Sequence, residues 1–365
     1  MIEPFWTQFN YGNAMADAFD LLGRFSASCL RMLPPETAHD IGMKALELGA
    51  LNWLPEPQFH NHGVQLMTEL PGVGRLAHPI GLAAGFDKNA RCPTAFQRMG
   101  FSFIEVGTVT PKPQDGNPKP RLFRDSGQRS ITNRMGFNGE GIISVVNRVK
   151  GHNWSGFHPP MGVNLGKNKL TPNEDALKDF EQGLRAFEQL ASYFVINISS
   201  PNTPGLRELA NPEFIESLGA ICTDCLKRVW IKLDPDMSKK EFQSMIRAIM
   251  KVGFAGVILS NTHRVVYPQV GGQSGHPLLS LSNAVLEWAW DVHQGLLPMI
   301  GCGGILSGVD AYHKIARGAS AVQLYTALVY RGPGAVAKIM EELAIELKLR
   351  GFGSVGEAVG SWYKE

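Results

Sequence analysis

Residues 193–207 read Tyr-Phe-Val-Ile-Asn-Ile-Ser-Ser-Pro-Asn-Thr-Pro-Gly-Leu-Arg, an apolar run followed directly by a polar, proline-rich segment. The length and the aromatic and β-branched content of residues 193–198 predict a buried strand. The polar segment then lies at the carboxyl end of that strand, where barrel enzymes carry their chemistry. Its prolines and glycine restrict the backbone, so the segment can orient a ligand at low entropic cost.

Similar apolar runs recur along the chain and alternate with helical patterns. After a short antiparallel lead-in at 64–78, the predicted strands are 80–84, 103–107, 161–165, 194–198, 229–233, 256–260, 298–301 and 321–324. The helices predicted between them include 172–190, 211–227, 238–252, 281–293 and 308–317. Eight strand–helix units predict an α/β fold, a closed (β/α)8 TIM barrel. The alternative, an open doubly wound sheet, would require a G-x-G-x-x-G motif after the first strand, which the sequence lacks.

Two amphipathic helices are predicted ahead of the barrel, at 14–33 and 36–51. They form a hairpin outside the strand–helix alternation, which divides the chain into an N-terminal extension, 1–57, and a barrel, 58–365. The hairpin either covers an apolar end of the barrel or forms an interfacial pair that enters a bilayer or frames a tunnel. The apolar side of the first helix is broad, which is why the second interpretation stays open.

Composition narrows the class of protein. The 365 residues are 44% hydrophobic and 19% charged, and the net charge of +2 is too small to indicate a nucleic-acid surface. The five cysteines are scattered, which favours a reducing compartment over a disulfide framework. Cys222 and Cys225 form a C-x-x-C motif, but we expect it to lie within a helix without the two further soft ligands that a zinc site needs. We therefore predict no metal.

The N-terminal segment carries Glu3 and Asp17 and lacks an uninterrupted apolar core, so we expect neither a secretory signal nor a transit peptide. Eighteen apolar residues never run together, so no membrane-spanning helix is predicted.

One connection, residues 110–150, is far longer than usual for a barrel. Its prolines, glycines and basic residues predict an ordered excursion over the barrel mouth. Long loops of this kind are commonly lids or binding loops.

Small and polar residues follow nearly every predicted strand. Glycines at 301, 303 and 304 follow the seventh strand, and Tyr325 and Thr326 follow the eighth, each ahead of a helix; this is where barrels hold a phosphate group. Ser307 is predicted to cap the next helix. These features together predict a phosphate-group site.

Neutral amides and two lysines are predicted to converge on the same rim. Asn133, Asn164, Asn197 and Asn261 can each donate and accept, which suits a flat heterocycle edged with carbonyl and N–H groups. Lys88 and Lys232 add positive charge there. Alone, such an Asn is typical of a turn and such a Lys of a solvated surface, so the interpretation depends on their convergence.

Ser200 is the candidate proton acceptor. It would take a proton from a substrate carbon whose C–H bond is acidic and lies close to the serine hydroxyl. A Ser–His pair with His263 or His276 remains conceivable, although the sequence has no G-x-S-x-G elbow. A serine in Ser-Ser-Pro can also be only a turn or capping residue.

Several long motifs together resemble one family. They are Asn-Ile-Ser-Ser-Pro-Asn-Thr-Pro-Gly-Leu-Arg at 197–207, Ala-Ala-Gly-Phe-Asp-Lys-Asn at 83–89, Gly-Thr-Val-Thr-Pro-Lys-Pro-Gln at 107–114, Asn-Arg-Met-Gly-Phe-Asn at 133–138, Gly-Val-Asn-Leu-Gly-Lys-Asn at 162–168 and Gln-Leu-Tyr-Thr-Ala at 323–327. From about residue 15 onward the chain resembles the quinone-dependent, class 2, membrane-associated dihydroorotate dehydrogenases. The resemblance implies oxidation of (S)-dihydroorotate to orotate in de novo pyrimidine (UMP) biosynthesis, with FMN as hydride acceptor and a quinone as final electron acceptor.

The resemblance also implies roles for individual residues. Ser200, rather than Ser199, would take the proton from ring carbon five of the substrate. The soluble first class of the family has Cys at the position of Ser200. Positions implied for FMN are Ala84, Gly85, Phe86, Asp87, Lys88, Thr108, Asn164, Asn197, Lys232, Ser260, Gly275, Gly304, Tyr325 and Thr326. Positions implied for the pyrimidine are Lys88, Asn133, Arg134, Met135, Gly136, Phe137, Asn197, Asn202, Asn261 and Thr262.

The hairpin would be the quinone entrance, with His39 and Arg124 at matching positions. Three positions depart from the family: Ser260 and His263 stand where relatives often have Thr, and Leu30 where some place a polar quinone contact. Residues 1–14 match no part of the family pattern.

The resemblance further implies a monomer in peripheral contact with a membrane, and the missing transit signal favours the cytoplasmic side of a cell inner membrane. Two rival functions stay open at this stage. One is a soluble-type flavin barrel that uses fumarate or NAD; the other is a catalytically silent, membrane-docked barrel that binds a phosphorylated ligand.

Overall fold

The structure, a computed structural model, describes residues 11–52, 59–152, 154, 156, 159–203 and 205–364, with the backbone alone for 11–20. The α-helices are α1 Tyr11–Arg31, α2 Pro35–Glu47, α3 Pro93–Arg98, α4 Gly141–Gly151, α5 Ala176–Phe187, α6 Pro212–Ile221, α7 Lys239–Val252, α8 Leu279–His293, α9 Gly308–Ala316, α10 Thr326–Arg331, α11 Ala335–Leu349 and α12 Val355–Ala358. The strands are β1 Thr68–Leu70, β2 Gly74–Leu76, β3 Ile80–Leu82, β4 Phe103–Val109, β5 Leu122–Asp125, β6 Ser130–Asn133, β7 Met161–Leu165, β8 Tyr193–Asn197, β9 Val229–Lys232, β10 Gly256–Leu259, β11 His263–Val265, β12 Gly271–Gly275, β13 Met299–Cys302 and β14 Ala321–Leu324.

Eight parallel strands close into a barrel in the order β3-β4-β7-β8-β9-β10-β13-β14. Strand β8, which ends in the polar segment, pairs on both sides, with Ile196 opposite Leu165 in β7 and opposite Ile231 in β9. The predicted TIM barrel is confirmed, and each of its eight strands was predicted within a few residues. Because the strands are parallel, all eight carboxyl ends meet at one rim.

Aromatic side chains fill the opposite end of the barrel. Phe103, Tyr193 and Trp230 are fully buried there and pack in one cluster with residues of the β1–β2 hairpin. Glycines make room for these rings: a Cβ on Gly162 would lie 2.1 Å from Tyr193 Cζ, and one on Gly256 would lie 2.4 Å from Trp230 Cζ3. The confirmed antiparallel lead-in thus closes one end, and the rim at the carboxyl ends remains for ligands.

The long excursion at 110–150 contains more structure than the sequence indicated. Its β5–β6 hairpin pairs with β12, which forms a four-stranded antiparallel sheet in the order β11-β12-β6-β5. Helix α4 ends the excursion and leads into the barrel strand β7. The sheet joins segments more than a hundred residues apart, a pairing that no local pattern encodes.

The predicted position of the C-x-x-C motif within a helix is wrong. Helix α6 ends at Ile221, Cys222 is its C-cap, and Cys225 precedes a short 3₁₀ turn. The intervening Thr223 and Asp224 favour turns over helix interior, which explains the early end. Within the residues that the structure describes, no group of three His, Cys, Asp or Glu side chains could hold a metal ion.

The helices α1 and α2 form the predicted hairpin and are tied to the barrel. The Arg31 guanidinium donates to the carbonyls of Val329 at 3.0 Å and Tyr330 at 3.1 Å in α10. From α2, Glu36 pairs with Arg121 at 2.8 Å. The expected division after residue 57 lies outside the described residues, which omit 53–58. Among the described helices, none is both long enough and apolar enough to cross a membrane.

Candidate active site

A cavity of about 230 Å³, here called the rim cavity, lies at the carboxyl ends of the barrel strands. Nearly all the site residues expected from the sequence line it: Ala84, Gly85, Phe86, Asp87, Lys88, Thr108, Asn133, Met135, Gly136, Phe137, Asn197, Ser200, Asn202, Lys232, Ser260, Asn261, Thr262, Gly275, Gly304, Tyr325 and Thr326. These side chains come from distant parts of the chain, and barrel closure together with the second sheet brings them together.

Two expected site residues do not line the rim cavity. The Arg134 guanidinium turns away, donates to the Pro120 carbonyl at 2.8 Å, and stacks over Phe123 at 5.3 Å. Asn164 is fully buried and lies beneath the lining residues Thr108 and Asn197. Arg134 is therefore left out of the contacts proposed below, and Asn164 supports the site from behind.

A hydrogen-bonded network of amides and hydroxyls forms the floor of the rim cavity. Thr108 Oγ1 donates to Asn164 Oδ1 at 2.5 Å, and Asn197 Nδ2 lies 3.2 Å from both of these oxygens. Asn197 Oδ1 accepts from Ser199 Oγ at 3.1 Å. The network holds each amide in one orientation, so the cavity presents a fixed pattern of donors and acceptors.

Sequence reasoning missed Glu105, which anchors this network. The residue is fully buried inside β4, and its carboxylate accepts from Asn164 Nδ2 at 2.7 Å and from Gln323 Nε2 at 2.5 Å. A carboxylate only accepts, so it forces both amides to point their N–H groups toward it. The available signal was the one charged residue in β4, a strand that is fully buried.

Ser200 lies just beyond β8, is 5% exposed, and lines the rim cavity. Its Oγ accepts from the Asn202 backbone N–H at 3.2 Å. No hydrogen bond joins Ser200 to His263 or His276 in the described part of the chain; the His263 imidazole pairs instead with Asp236. The structure therefore gives no support to a Ser–His pair.

Three amides line the rim cavity together with Ser200. Asn202 Nδ2 donates to Asn133 Oδ1 at 3.2 Å, and Asn133 Nδ2 donates to the Gly272 carbonyl at 3.2 Å. Asn261 Nδ2 donates to Ser199 Oγ at 2.9 Å. The antiparallel sheet thus brings Asn133 to Asn202, because Asn133 ends β6 and β6 pairs with β12.

Lys88 and Lys232 also line the rim cavity, and the ammonium group of neither forms a hydrogen bond or an ion pair with any other described residue. Burial lowers the pKa of Lys88 to about 8. Lys232 is 5% exposed. A buried ammonium without a partner is costly, so both lysines indicate a ligand with negative charge or strong acceptors.

Glycines and hydroxyl residues form the far end of the rim cavity. The backbone N–H groups of Gly304, Tyr325 and Thr326 donate to no acceptor among the described residues. Gly304 has φ +81°, and a Cβ there would lie 2.4 Å from Leu279 Cα, so only glycine fits. Free N–H groups gathered around a concave surface are suited to bind an anion.

Helix α9 follows the loop that carries Gly303 and Gly304, but the N–H groups at its own N-terminus are not free to bind a ligand at the far end of the rim cavity. Ser307 caps it as predicted, with Oγ accepting from the Asp310 N–H at 3.2 Å. The Gly308 N–H donates to the Glu342 carboxylate at 2.8 Å. The free donors therefore belong to Gly304, in the loop ahead of α9, and to Tyr325 and Thr326 at the start of α10, and not to the N-terminus of α9.

Comparison with known proteins agrees with this geometry. Residues 65–347 match the family model described as "Dihydroorotate dehydrogenase". The chain belongs to this family.

Its relatives extend over nearly the whole chain. One is "Dihydroorotate dehydrogenase (quinone)" of Parvibaculum lavamentivorans, 42% identical over 346 residues, covering 91% of this chain and 96% of the relative. Another is the mitochondrial "Dihydroorotate dehydrogenase (quinone)" of Mus musculus, 38% identical over 352 residues, covering 90% and 87%. The crystal structure of DHODH from Eimeria tenella in complex with ferulenol has a TM-score of 0.84 at 34% identity, covering 91% of this chain and 96% of that one. The family resemblance drawn from the motifs is confirmed.

A second, mainly apolar cavity of about 270 Å³ lies between the helical hairpin and the barrel. We call it the hairpin cavity. It shares a wall with the rim cavity, formed by His39, Met43, Phe86, Leu122, Ile131 and Tyr325. Within that wall the rings of Phe86 and Tyr325 have centroids 5.2 Å apart. The wall is thin, since single side chains face both spaces.

His39 and Arg124 are polar residues of the hairpin cavity. Burial, with a further contribution from the Lys88 ammonium, lowers the pKa of His39 to about 3, so the imidazole is neutral at physiological pH. The Arg124 guanidinium donates to the carbonyls of Arg31 and Leu33, which follow each other closely in the turn of the hairpin. Both residues bring polar atoms to a lining that is mainly apolar.

The Asp87 carboxylate stabilises the loop that follows β3 and does not point a polar atom into the rim cavity. That carboxylate is fully buried and accepts from the Arg91 N–H at 2.8 Å and the Cys92 N–H at 3.0 Å. Burial raises its pKa. The residue therefore shapes the loop that carries Lys88.

Proposed function

We propose that this protein oxidises (S)-dihydroorotate to orotate in de novo pyrimidine biosynthesis, with FMN in the rim cavity and a quinone as final electron acceptor. One observation carries the proposal: unpartnered lysines, fixed amides and free backbone N–H groups line a single cavity that shares a wall with an apolar one. The first cavity suits a charged heterocycle beside a phosphorylated one, and the second suits an apolar ring.

The residues present fit FMN. The free N–H groups of Gly304, Tyr325 and Thr326 would hold its phosphate, and the Gly275 loop closes the same end. The flavin ring, with carbonyl and N–H edges, would lie against Thr108, Asn197 and Lys232, and Ser260 lines the same surface. Bound FMN supplies an acceptor for the substrate's hydride and can pass electrons on to a quinone.

The remaining polar groups fit the pyrimidine. Asn133, Asn202, Asn261 and Thr262 would hold the ring's carbonyl and N–H groups, and the Lys88 ammonium would face its carboxylate. Met135, Gly136 and Phe137 close the cavity around them. Asn197 contacts both ligands because it lies between Asn164 and Asn261.

Ser200 is the proposed base. The Asn202 N–H, donating to Ser200 Oγ, holds the hydroxyl in place next to the amides that would fix the ring. Ser200 Oγ would take the proton from ring carbon five as its own hydroxyl proton passes to water, and the neighbouring carbon would give its hydride to the bound FMN. The buried Lys232 ammonium would stabilise negative charge that develops on the ring beside it.

The quinone would enter through the hairpin cavity, where His39 and Arg124 offer hydrogen bonds. The outer surface of the hairpin exposes large apolar side chains, among them Leu21 at 69%, Phe25 at 69% and Leu48 at 75%. Such a surface suits the interface of a bilayer. We therefore propose that the extension up to residue 57 docks a monomer on the cytoplasmic side of a cell inner membrane, with the barrel from 58 onward in solution.

Colour provides the test. The purified protein should be yellow, anaerobic dihydroorotate should bleach it, and a quinone should restore the colour. Restoration by fumarate or NAD, but not by a quinone, would instead support a soluble-type enzyme. Tight FMN binding without bleaching would support a silent ligand-binding barrel.

A further inference from the structure

Lys314 is a buried cation that the proposed reaction does not use. It lies on α9 and is completely inaccessible to solvent. Its Nζ donates to Ser282 Oγ and, at 2.8 Å, to Asn283 Oδ1, both neutral acceptors near the start of α8. Across the described ranges, no carboxylate forms an ion pair with it.

Such an arrangement is unfavourable unless something compensates for it, because an ammonium loses its hydration when buried. Burial lowers the pKa of Lys314 to about 7, with Cys302 and Asp310 acting to raise it and Arg317 to lower it. None of these neighbours supplies a full counter-charge in direct contact.

The missing negative charge can be located from the contacts of Ser282. Its Oγ, which accepts from Lys314, lies 2.9 Å from the Gly303 carbonyl and 3.0 Å from the Leu279 carbonyl. The Gly303 carbonyl and the Gly304 N–H belong to one peptide group, and in a trans peptide they point in opposite directions. Because Ser282 holds the Gly303 carbonyl on the side away from the rim cavity, the Gly304 N–H points toward that cavity, where it has no acceptor.

The backbone also places Lys314 directly behind the loop that carries Gly303 and Gly304. A Cβ on Gly301 would lie 3.0 Å from Lys314 Cβ, so the lysine stem packs against the end of strand β13, just ahead of these two glycines. The ammonium and the free N–H are thus the two ends of one short relay, from Lys314 through Ser282 to the Gly303–Gly304 peptide.

We propose that Lys314 is a positioning residue for the cofactor's phosphate, acting as its buried counter-charge through Ser282 and the Gly303–Gly304 peptide. The inference rests on the proposed binding of FMN at this end of the rim cavity. It predicts that Lys314 contributes to the affinity for a flavin that carries the terminal phosphate, and not for the same flavin without it.

Riboflavin is the matching probe, since it differs from FMN only in lacking the phosphate. The apo-protein of Lys314→Met is titrated with FMN and with riboflavin by flavin fluorescence, and its thermal unfolding is followed without ligand. Lys178→Met is the matched control, because Lys178 lies on α5 with its side chain 78% exposed.

Lys314→Met should weaken FMN binding about tenfold or more and leave riboflavin binding within about twofold. The unfolding temperature of the apo-protein should not fall, because an uncompensated charge has been replaced by an apolar chain of similar length. Lys178→Met should change neither affinity. Equal losses for both flavins, or an unchanged ratio of the two affinities, would overturn the inference.

Ser282→Ala is the second variant, in case Lys314→Met does not fold. It keeps the lysine but removes the hydroxyl that connects it to the Gly303 carbonyl. FMN affinity should therefore fall, as in Lys314→Met, while riboflavin affinity stays the same. An unchanged ratio in Ser282→Ala would contradict the relay. A wild-type protein that binds neither flavin would contradict the proposed function itself, which separates the two failures.

Discussion

Glu105 Oε1 accepts a hydrogen bond from Asn164 Nδ2 at 2.7 Å in the interior of the barrel. This contact fixes the Asn164 amide so that its oxygen faces Thr108 and Asn197. A residue that never touches the rim cavity thereby determines which atoms the cavity presents.

Replacement of Glu105 should consequently affect both stability and cofactor retention. Glu105→Leu leaves the N–H groups of Asn164 and Gln323 buried without acceptors, which should lower the free energy of unfolding by about 2–5 kcal/mol. Glu105→Gln keeps an acceptor and should cost less. Urea unfolding and flavin content after gel filtration measure the two effects. Leu and Gln variants indistinguishable from wild type would show that the carboxylate does not organise the network.

Ser200→Ala should retain FMN but lose most of the substrate-driven flavin reduction near neutral pH. The expected loss is about 10²- to 10⁴-fold, the usual contribution of a general base. Ser217→Ala is the matched control, because Ser217 is an exposed residue of α6 whose hydroxyl bonds only to the Glu213 carbonyl of the same helix. Stopped-flow absorbance under anaerobic conditions gives the rates. Undiminished reduction in Ser200→Ala would rule out this serine as the base.

Orotate affinity should depend on pH through Lys88. Its pKa of about 8 means that the ammonium is present below that pH and is lost above it. Orotate keeps its carboxylate throughout this range, so its affinity should be level below pH 7. Above about 8 it should fall toward tenfold per pH unit. Spectral titrations from pH 6.5 to 9 test this, with Lys88→Met as the variant expected to bind weakly and without the pH dependence. An identical pH profile in the variant would assign the titration to another group.

Gly304→Val should expel FMN. Gly304 has φ +81° and a Cβ would lie 2.4 Å from Leu279 Cα, so the substitution displaces the loop that carries the free N–H. Gly63→Val separates the backbone effect from the site, since Gly63 has φ +82° but nothing within 4 Å of a Cβ. Flavin content after gel filtration should drop in Gly304→Val and stay unchanged in Gly63→Val. Full flavin content in Gly304→Val would mean that this loop does not hold the phosphate.

The exposed apolar surface of the hairpin should carry membrane binding. The double variant Leu21→Asp, Phe25→Asp places charges on side chains that are each 69% exposed, so it should leave the fold intact while reducing sedimentation with anionic vesicles. Ile143→Asp, at a residue of α4 that is 75% exposed, is the control. Deletion of residues 1–53 should in addition impair quinone turnover while dihydroorotate still bleaches the flavin. Unchanged sedimentation of both the double variant and the deletion would place the membrane contact elsewhere.

The barrel and most of the rim were accessible from the sequence. Runs such as Phe-Val-Ile-Asn at 194–197 encode a buried strand and its polar end within a few residues, so strand and strand-end chemistry can be read together. Parallel closure then places all such ends at one rim, whatever the details of packing.

Other features were set by contacts between distant segments. Asn133 reaches Asn202 only because the β5–β6 hairpin pairs with β12, and residues 110–150 contain no pattern that specifies this partner. Arg134 shares a motif with Asn133 yet turns to Phe123, since neighbouring residues at a strand end face opposite sides.

The sequence by itself therefore determined the fold and the chemical types gathered at its rim, because strand periodicity and strand-end residues are local properties. Only the tertiary structure decided which buried charges organise the site. Glu105 and Lys314 lie in segments that are otherwise typical of a core strand and a covering helix. Their importance comes from partners 59 residues away for Glu105 and 32 residues away for Lys314, brought into contact by barrel closure and helix packing.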